Sequence, residues 1–228
     1  MIGLAAILQI FFFAGLGFET FAQAQVLVPG EVKYFESRNA SDQPLDVIEI
    51  NGTIAYPMAD LFQAELAKTH QGRALLVRLN SPGGSNEQGN KIIQMLQDKR
   101  QDGTVLDTSV ENGTVCASMC VPLFMQGRKR YGGEGSLFMF HGATQPSFSN
   151  IPHPLVTEDV IQTMIRAGMS SEWIQKRRQE GVFSKPGAYW ISGRELFDQN
   201  AGVITKLIPR HVVEEPWTAP FDTNIRPR

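Results

Sequence analysis

The run ALLVRL, Ala74 to Leu79, is apolar at every position but Arg78. It is too short for a buried helix and reads as a buried strand of a parallel sheet. It passes straight into NSPGGS, Asn80 to Ser85, and then into a stretch with Ile92, Ile93 and Leu96 at helical spacing. Strand, glycine turn and helix in immediate succession is the feature that most narrows the fold. A parallel strand needs a crossover to reach its neighbour, and that crossover is usually a helix.

The alternation continues along the chain. DVIEINGTI alternates around Val47, Ile48, Ile50 and Ile54, with a turn signal at Asn51-Gly52, and predicts a strand pair or a strand with a bend. MADLFQAELAKTH places Met58, Leu61, Phe62 and Leu66 on one helical face. GTVLDTSV is a strand, and GTVCASMCVPLFMQG turns into a helix that ends by Gly127. SLFMFHGA is an apolar strand ending at His141, residues 144–154 are a loop, and 155–182 are two helices broken near Gly168. In YWISGRELFDQNAGVITKLI, Ser192 and Glu195 form a capping-box pattern, Gly202 ends the short helix, and a strand returns. This order predicts an α/β domain built from βαβ units. Active sites in such domains sit where strands end in turns. Three special segments do so here: Pro82-Gly83-Gly84, Cys116 to Met119, and His141.

The 228 residues suit one domain better than two. The net charge of -2 favours neither nucleic acid nor an acidic membrane. The basic runs Arg128 to Arg130 and Lys176 to Arg178 are short and read as solvated surface. Met1 to Phe18 carries no charged side chain, and Ala22-Gln23-Ala24 fits a small-x-small cleavage site. Residues 1–24 therefore read as a secretory signal, and the mature chain as periplasmic or secreted. No Lys or Arg precedes the apolar run, which leaves an uncleaved inner-membrane anchor, and so membrane contact, open. Residues 25–44 read as a linker, 45–215 as the domain, and 216–228 as a loose, Pro-rich tail.

Ser118 lies between Cys116 and Cys120, the only two cysteines. In an oxidising compartment they can pair. A regular helix would hold the two Cβ vectors side by side and resist the bond, whereas a Cys116 on the incoming strand or turn would allow it. Two small buried thiols are the alternative. A serine acts as a nucleophile only with a base beside it and donors for the oxyanion it creates. The Gly83-Gly84 turn offers unobstructed backbone N–H groups. Ser118 sits at the positive end of a helix, and His141 can serve as base if its strand neighbours the Ser118 turn. Each feature also has a plainer reading: a common turn, a helix N-cap, an incidental histidine. His70 reads as surface at a helix end, and His153 as a loop residue. A metal role for His153 has no matching ligand cluster.

LNSPGGSNEQG, CASMCVPLFMQGRKRYGGEGSLFMFHGA and YWISGRELFDQNAGVITKLI together resemble the proteolytic subunit of Clp protease (ClpP) and its relatives. The resemblance spans about residues 45–210. It implies the ClpP/crotonase-like fold of stacked βαβ units, with Ser118 as nucleophile and His141 as general base. It also implies an oxyanion hole from the Gly83 and Met119 N–H groups, with Gly84 shaping the turn. The family's acid, an aspartate, aligns with Ala188, and no carboxylate occurs between Gly181 and Gly193. Substitutes are Glu158, Asp159, Asp198, a backbone carbonyl, Ser184 or water. A Ser–Lys dyad would need Lys129 or Lys185. The flanking cysteines resemble those of secreted bacterial Clp-protease-like proteins, and if joined they would clamp the nucleophile turn. Residues 155–180 match the family's ring-forming handle. Ile161, Met164, Ile165, Trp173 and Ile174 there would either serve a homo-oligomer or cap the core.

The expectation is a secreted or periplasmic serine peptidase, without a cofactor, acting on peptide or protein through an acyl-enzyme on Ser118. The competing expectation is a binding or scaffold protein that keeps the fold without the acid. Acyl-CoA chemistry of the crotonase type uses similar oxyanion turns, but export argues against a cytoplasmic cofactor. No nucleotide-binding motif is present, so an ATPase partner would be a separate chain.

Overall fold

The structure is a computed structural model describing residues 28–144 and 151–210. The leader 1–24, the middle of the 144–154 loop and the tail 216–228 lie outside the described residues. Among the described residues no helix is long and apolar enough to cross a membrane.

The elements run β1 (Glu31–Arg38), β2 (Pro44–Asn51), α1 (Met58–Leu66), β3 (Ala74–Asn80), α2 (Asn86–Gln101), β4 (Leu106–Val110), β5 (Val115–Ala117), α3 (Cys120–Phe124), β6 (Arg130–Gly133), β7 (Leu137–Phe140), α4 (Pro154–Arg166), α5 (Ser171–Gln179), β8 (Tyr189–Ser192), α6 (Gly193–Asp198) and β9 (Lys206–Ile208). Six strands form one sheet in the order β1-β2-β3-β4-β6-β9, and three form another in the order β5-β7-β8. The larger sheet is parallel except for the antiparallel β1–β2 pair. In the smaller one β5 and β7 are parallel, and β8 runs antiparallel to β7. The architecture is mixed α/β, with helices interleaved among the strands.

The apolar runs of β2 and β3 are continuous because both faces are covered. Ile48, Ile50, Val77 and Leu79 face the main core, while Leu45, Val47 and Leu76 join Tyr131 and Ile208 on the opposite face. Ile92, Ile93 and Leu96 of α2 point inward. In α1 the buried face is Met58, Ala59, Phe62 and Leu66, and Leu61 is exposed. Both capping-box hydrogen bonds between Ser192 and Glu195 are present at α6.

Two sequence readings change. The segment 25–44 is not all linker, since Glu31–Arg38 is an edge strand in register with β2, with Val32 opposite Ile50 and Tyr34 opposite Ile48. An edge strand packed on one side has half the apolar signal of a central one, and polar neighbours mask Val32 and Tyr34. The basic runs are not wholly solvated either. Arg130 is buried and donates to the carbonyls of Gly127, Ala167, Gly202 and Val203. Arg177 is buried against the rings of Trp173 and Tyr189 and pairs with Glu180 at 2.9 Å. Backbone carbonyls and aromatic faces stabilise these guanidinium groups away from water.

The two helices α4 and α5 break at Gly168, whose φ is +98°. Ile161, Met164, Trp173 and Ile174 are buried in the main core, with Ile165 packed against it. These side chains cap the core of their own chain.

Candidate active site

The pairing of β5 with β7 builds the site. Ala117 lies opposite Met139 in the parallel register, so Ser118 and His141 leave neighbouring strand ends on the same side. The Ser118 N–H donates to the Met139 carbonyl at 2.9 Å. Ser118 has φ +53°, a left-handed conformation that non-glycine residues seldom adopt. The chain thus turns sharply from β5 into α3 at Ser118, a strand–turn–helix elbow. Ser118 Oγ lies 2.7 Å from His141 Nε2. Ser118 is therefore not the side-chain cap of α3. The cap position is Met119, and no side chain caps that helix end.

Cys116 and Cys120 form a disulfide with Cα atoms 5.1 Å apart. Cys116 is on β5 and Cys120 opens α3, which is the placement that frees the bond from the geometry of a continuous helix. Both residues are fully buried. The bond closes a small ring over Ala117, Ser118 and Met119.

The glycine turn packs directly beneath the elbow. A Cβ on Gly83, whose φ is +90°, would lie 2.5 Å from the Ala117 carbonyl oxygen and 2.7 Å from Ser118 Cβ. A Cβ on Gly84 would lie 2.2 Å from the Ile54 carbonyl oxygen. Only glycine fits at either position. The turn is held by Ile54 N–H donating to Gly83, Ser85 N–H donating to Ile54, and Ala117 N–H donating to Ser81. The Gly83 N–H, expected as an oxyanion donor, is instead engaged, donating to Ser81 Oγ at 3.1 Å. Among the described residues, the N–H groups of Gly84 and Met119 meet no acceptor. Ser81 is thus a member of the site that sequence reasoning missed. Nothing marks it beyond its position before Pro82.

Burial holds the His141 imidazole below the ordinary histidine value of 6.5, with a hydrogen bond to the Gly142 backbone acting in the other direction. The ring is therefore kept neutral, the form that can accept a proton from Ser118. Thr157 steadies the segment after it by accepting from the Ala143 N–H, and the His153 N–H donates to the Ala143 carbonyl. The His153 side chain accepts from Val156 N–H and caps α4.

No carboxylate among the described residues hydrogen-bonds His141 or pairs with it. Glu158 is engaged by Gln162 and Arg178, Asp198 by Arg194, and Asp159 is exposed. The Ser184 N–H donates to the Gly181 carbonyl, and the Lys185 side chain lies against Gly181. The Lys129 backbone is bonded to Asp107 and Thr108 of the larger sheet. The last pair of the β7–β8 register is Phe140 with Tyr189, and His141 and Ala188 are the residues next beyond that pair. Ala188, where the acid was expected, has no carboxylate to offer His141.

A separate polar cluster lies at the start of β2, whereas the elbow lies beyond its other end. Ligand atoms of Glu36, Asp46 and His70 fall within 4.8 Å of one another. The buried Asp46 carboxylate accepts from Tyr34 Oη, the His70 N–H and Arg73 Nη1. Arg73 also bonds Glu36, so a guanidinium already supplies the countercharge that a cation would bring.

No protein-family model matches this chain, and no curated protein matches it.

Proposed function

We propose that this chain is a serine peptidase with a ClpP/crotonase-like arrangement, working in an oxidising compartment outside the cytoplasm. The observation that carries this reading is the 2.7 Å contact between Ser118 Oγ and His141 Nε2, made from a left-handed elbow. Ser118 attacks a peptide carbonyl while His141 Nε2 takes its proton. The carbonyl oxygen gains negative charge and turns to the Met119 and Gly84 N–H groups. Collapse releases the amine with the proton from His141, and a water activated by His141 frees the acyl group from Ser118. The Cys116–Cys120 bond fits export, since disulfides persist where thiols are not kept reduced.

A second reading, a retired peptidase that binds without cleaving, is favoured by the lack, among the described residues, of a carboxylate bonded to His141. Losing the orienting acid of a triad costs about 10⁴-fold in rate. A small alkyl fluorophosphonate on purified mature protein separates the two. Labelling mapped to Ser118, and abolished in both Ser118→Ala and His141→Ala, is the expected result. Absence of labelling in folded, oxidised protein would favour the binding role.

A further inference from the structure

A cavity opens beside the nucleophile, where a side chain on the acyl side of the scissile bond would rest. Ser118 and His141 line it, together with Pro122, Met139, Val160, Met164 and Phe183 among others. We propose that this cavity selects substrates with a small apolar residue, alanine in size, immediately before the cleaved bond. This rests on the peptidase reading above and adds the substrate class to it.

Size decides the class. The cavity holds about 30 Å³. An apolar cavity of about 150 Å³ takes a benzene ring, and about 10–15 Å³ suffices for a water. A methyl group fits here, whereas an isobutyl or phenyl group requires the walls to part. Met164 and Phe183 are buried members of the main core, so displacing them disturbs packing well beyond the site. Met119 is held too, because its side chain fills the space beside Gly89, where a Cβ would come within 2.4 Å of it. Polarity decides against charged residues. Among the described residues, Asn86 is the one polar lining residue besides Ser118 and His141, and it offers no charge to pair with an ammonium or carboxylate.

The test uses diphenyl aminophosphonate esters that differ only in an alanine, leucine or phenylalanine side chain. Each forms a Ser118 Oγ–P bond and releases phenol, the serine proton passing to phenoxide through His141. The alanine ester should react roughly tenfold or more faster than the phenylalanine ester, since one methylene in a tight pocket discriminates on that scale. Val160→Ala and Met164→Ala should each raise the rate for the leucine ester relative to alanine. Two variants are used because Val160 is only partly buried and tolerates truncation if Met164→Ala fails to fold. Equal or faster reaction of the leucine or phenylalanine ester with the wild type would overturn the size selection and leave the peptidase reading standing. If the small fluorophosphonate also leaves Ser118 unlabelled, the peptidase reading falls and this selection falls with it.

Discussion

Ser118 and His141 meet because a one-residue advance along two parallel strands brings their ends together, and the chemistry at that point depends on one proton. With the folded His141 value below 6.5, the imidazole remains neutral as pH falls to 6.5, and the proposed activity should be lost only as pH passes the lower, folded value. The acid limb of Ser118 labelling should therefore have its midpoint below 6.5, as read from a pH–rate profile. The same shift costs folding. Below 6.5 the unfolded chain binds a proton that the folded chain still refuses, so stability contributed by neutral His141 declines as pH falls through that window. Ala188 gives the complementary experiment. Residues opposite each other across an antiparallel pair have Cβ atoms about 4.5–5.5 Å apart. Ala188→Asp should place a carboxylate beside the imidazole, raise the labelling rate about tenfold or more, and move the acid limb upward. An unchanged rate and limb would mean that the register does not extend to His141.

At the scale of elements, the elbow is a joint between β5 and α3 with a covalent tie across it and a glycine turn packed beneath it. Closing a loop this short by a disulfide contributes about 2 kcal/mol in the chain-entropy picture. Cys116→Ala with Cys120→Ala should lower stability to urea by that order and slow Ser118 labelling, because only the backbone then links the two sides of the elbow. The turn below is less forgiving. Gly83→Ala sets a Cβ against the Ala117 carbonyl and Ser118 itself at a φ of +90°. A loss of at least about 1 kcal/mol in stability, together with loss of labelling, is expected and can be read from thermal unfolding and probe kinetics on one sample. Full labelling by a normally folded Gly83→Ala protein would show that the two turns need not pack this closely.

Across the whole molecule, two buried charged groups hold distant segments together. Arg130 joins the ends of three connections through carbonyls, and Asp46 gathers β1, β2 and the segment after α1. Burial pushes the Asp46 carboxyl up, but hydrogen bonds from His70, Tyr34 and Arg73 outweigh it and hold it below 3.8. Burial and the Asp46 bond push the Tyr34 hydroxyl up to about 12, so it stays a donor. The stability from Asp46 is present above 3.8 and lost as pH falls through the folded value. Asp46→Asn should therefore destabilise the protein at neutral pH, and the gap from wild type should narrow on acidification below 3.8. Denaturant titrations at several pH values measure this directly.

The sequence by itself determined the alternation of strands and helices, the glycine turn, the capping box at Ser192 and the pairing of Ser118 with His141 as candidates. These follow from local periodicity and from residue types that only certain backbones accept. It did not reveal β1, because a one-sided edge strand carries little periodic signal. Nor did it reveal the burial of Arg130 and Arg177, because what surrounds a guanidinium comes from segments far along the chain. The disulfide was undecided in the sequence. Only the placement of Cys116 on a strand and Cys120 on a helix resolved it, since the same spacing within one helix would have kept the sulfurs apart. The partner of His141 was likewise a tertiary matter. Among the described residues no distant carboxylate folds back to bond His141, and the candidate substitutes could be sorted only once their own partners were placed. Non-local packing decided each of these, and no local pattern encodes it.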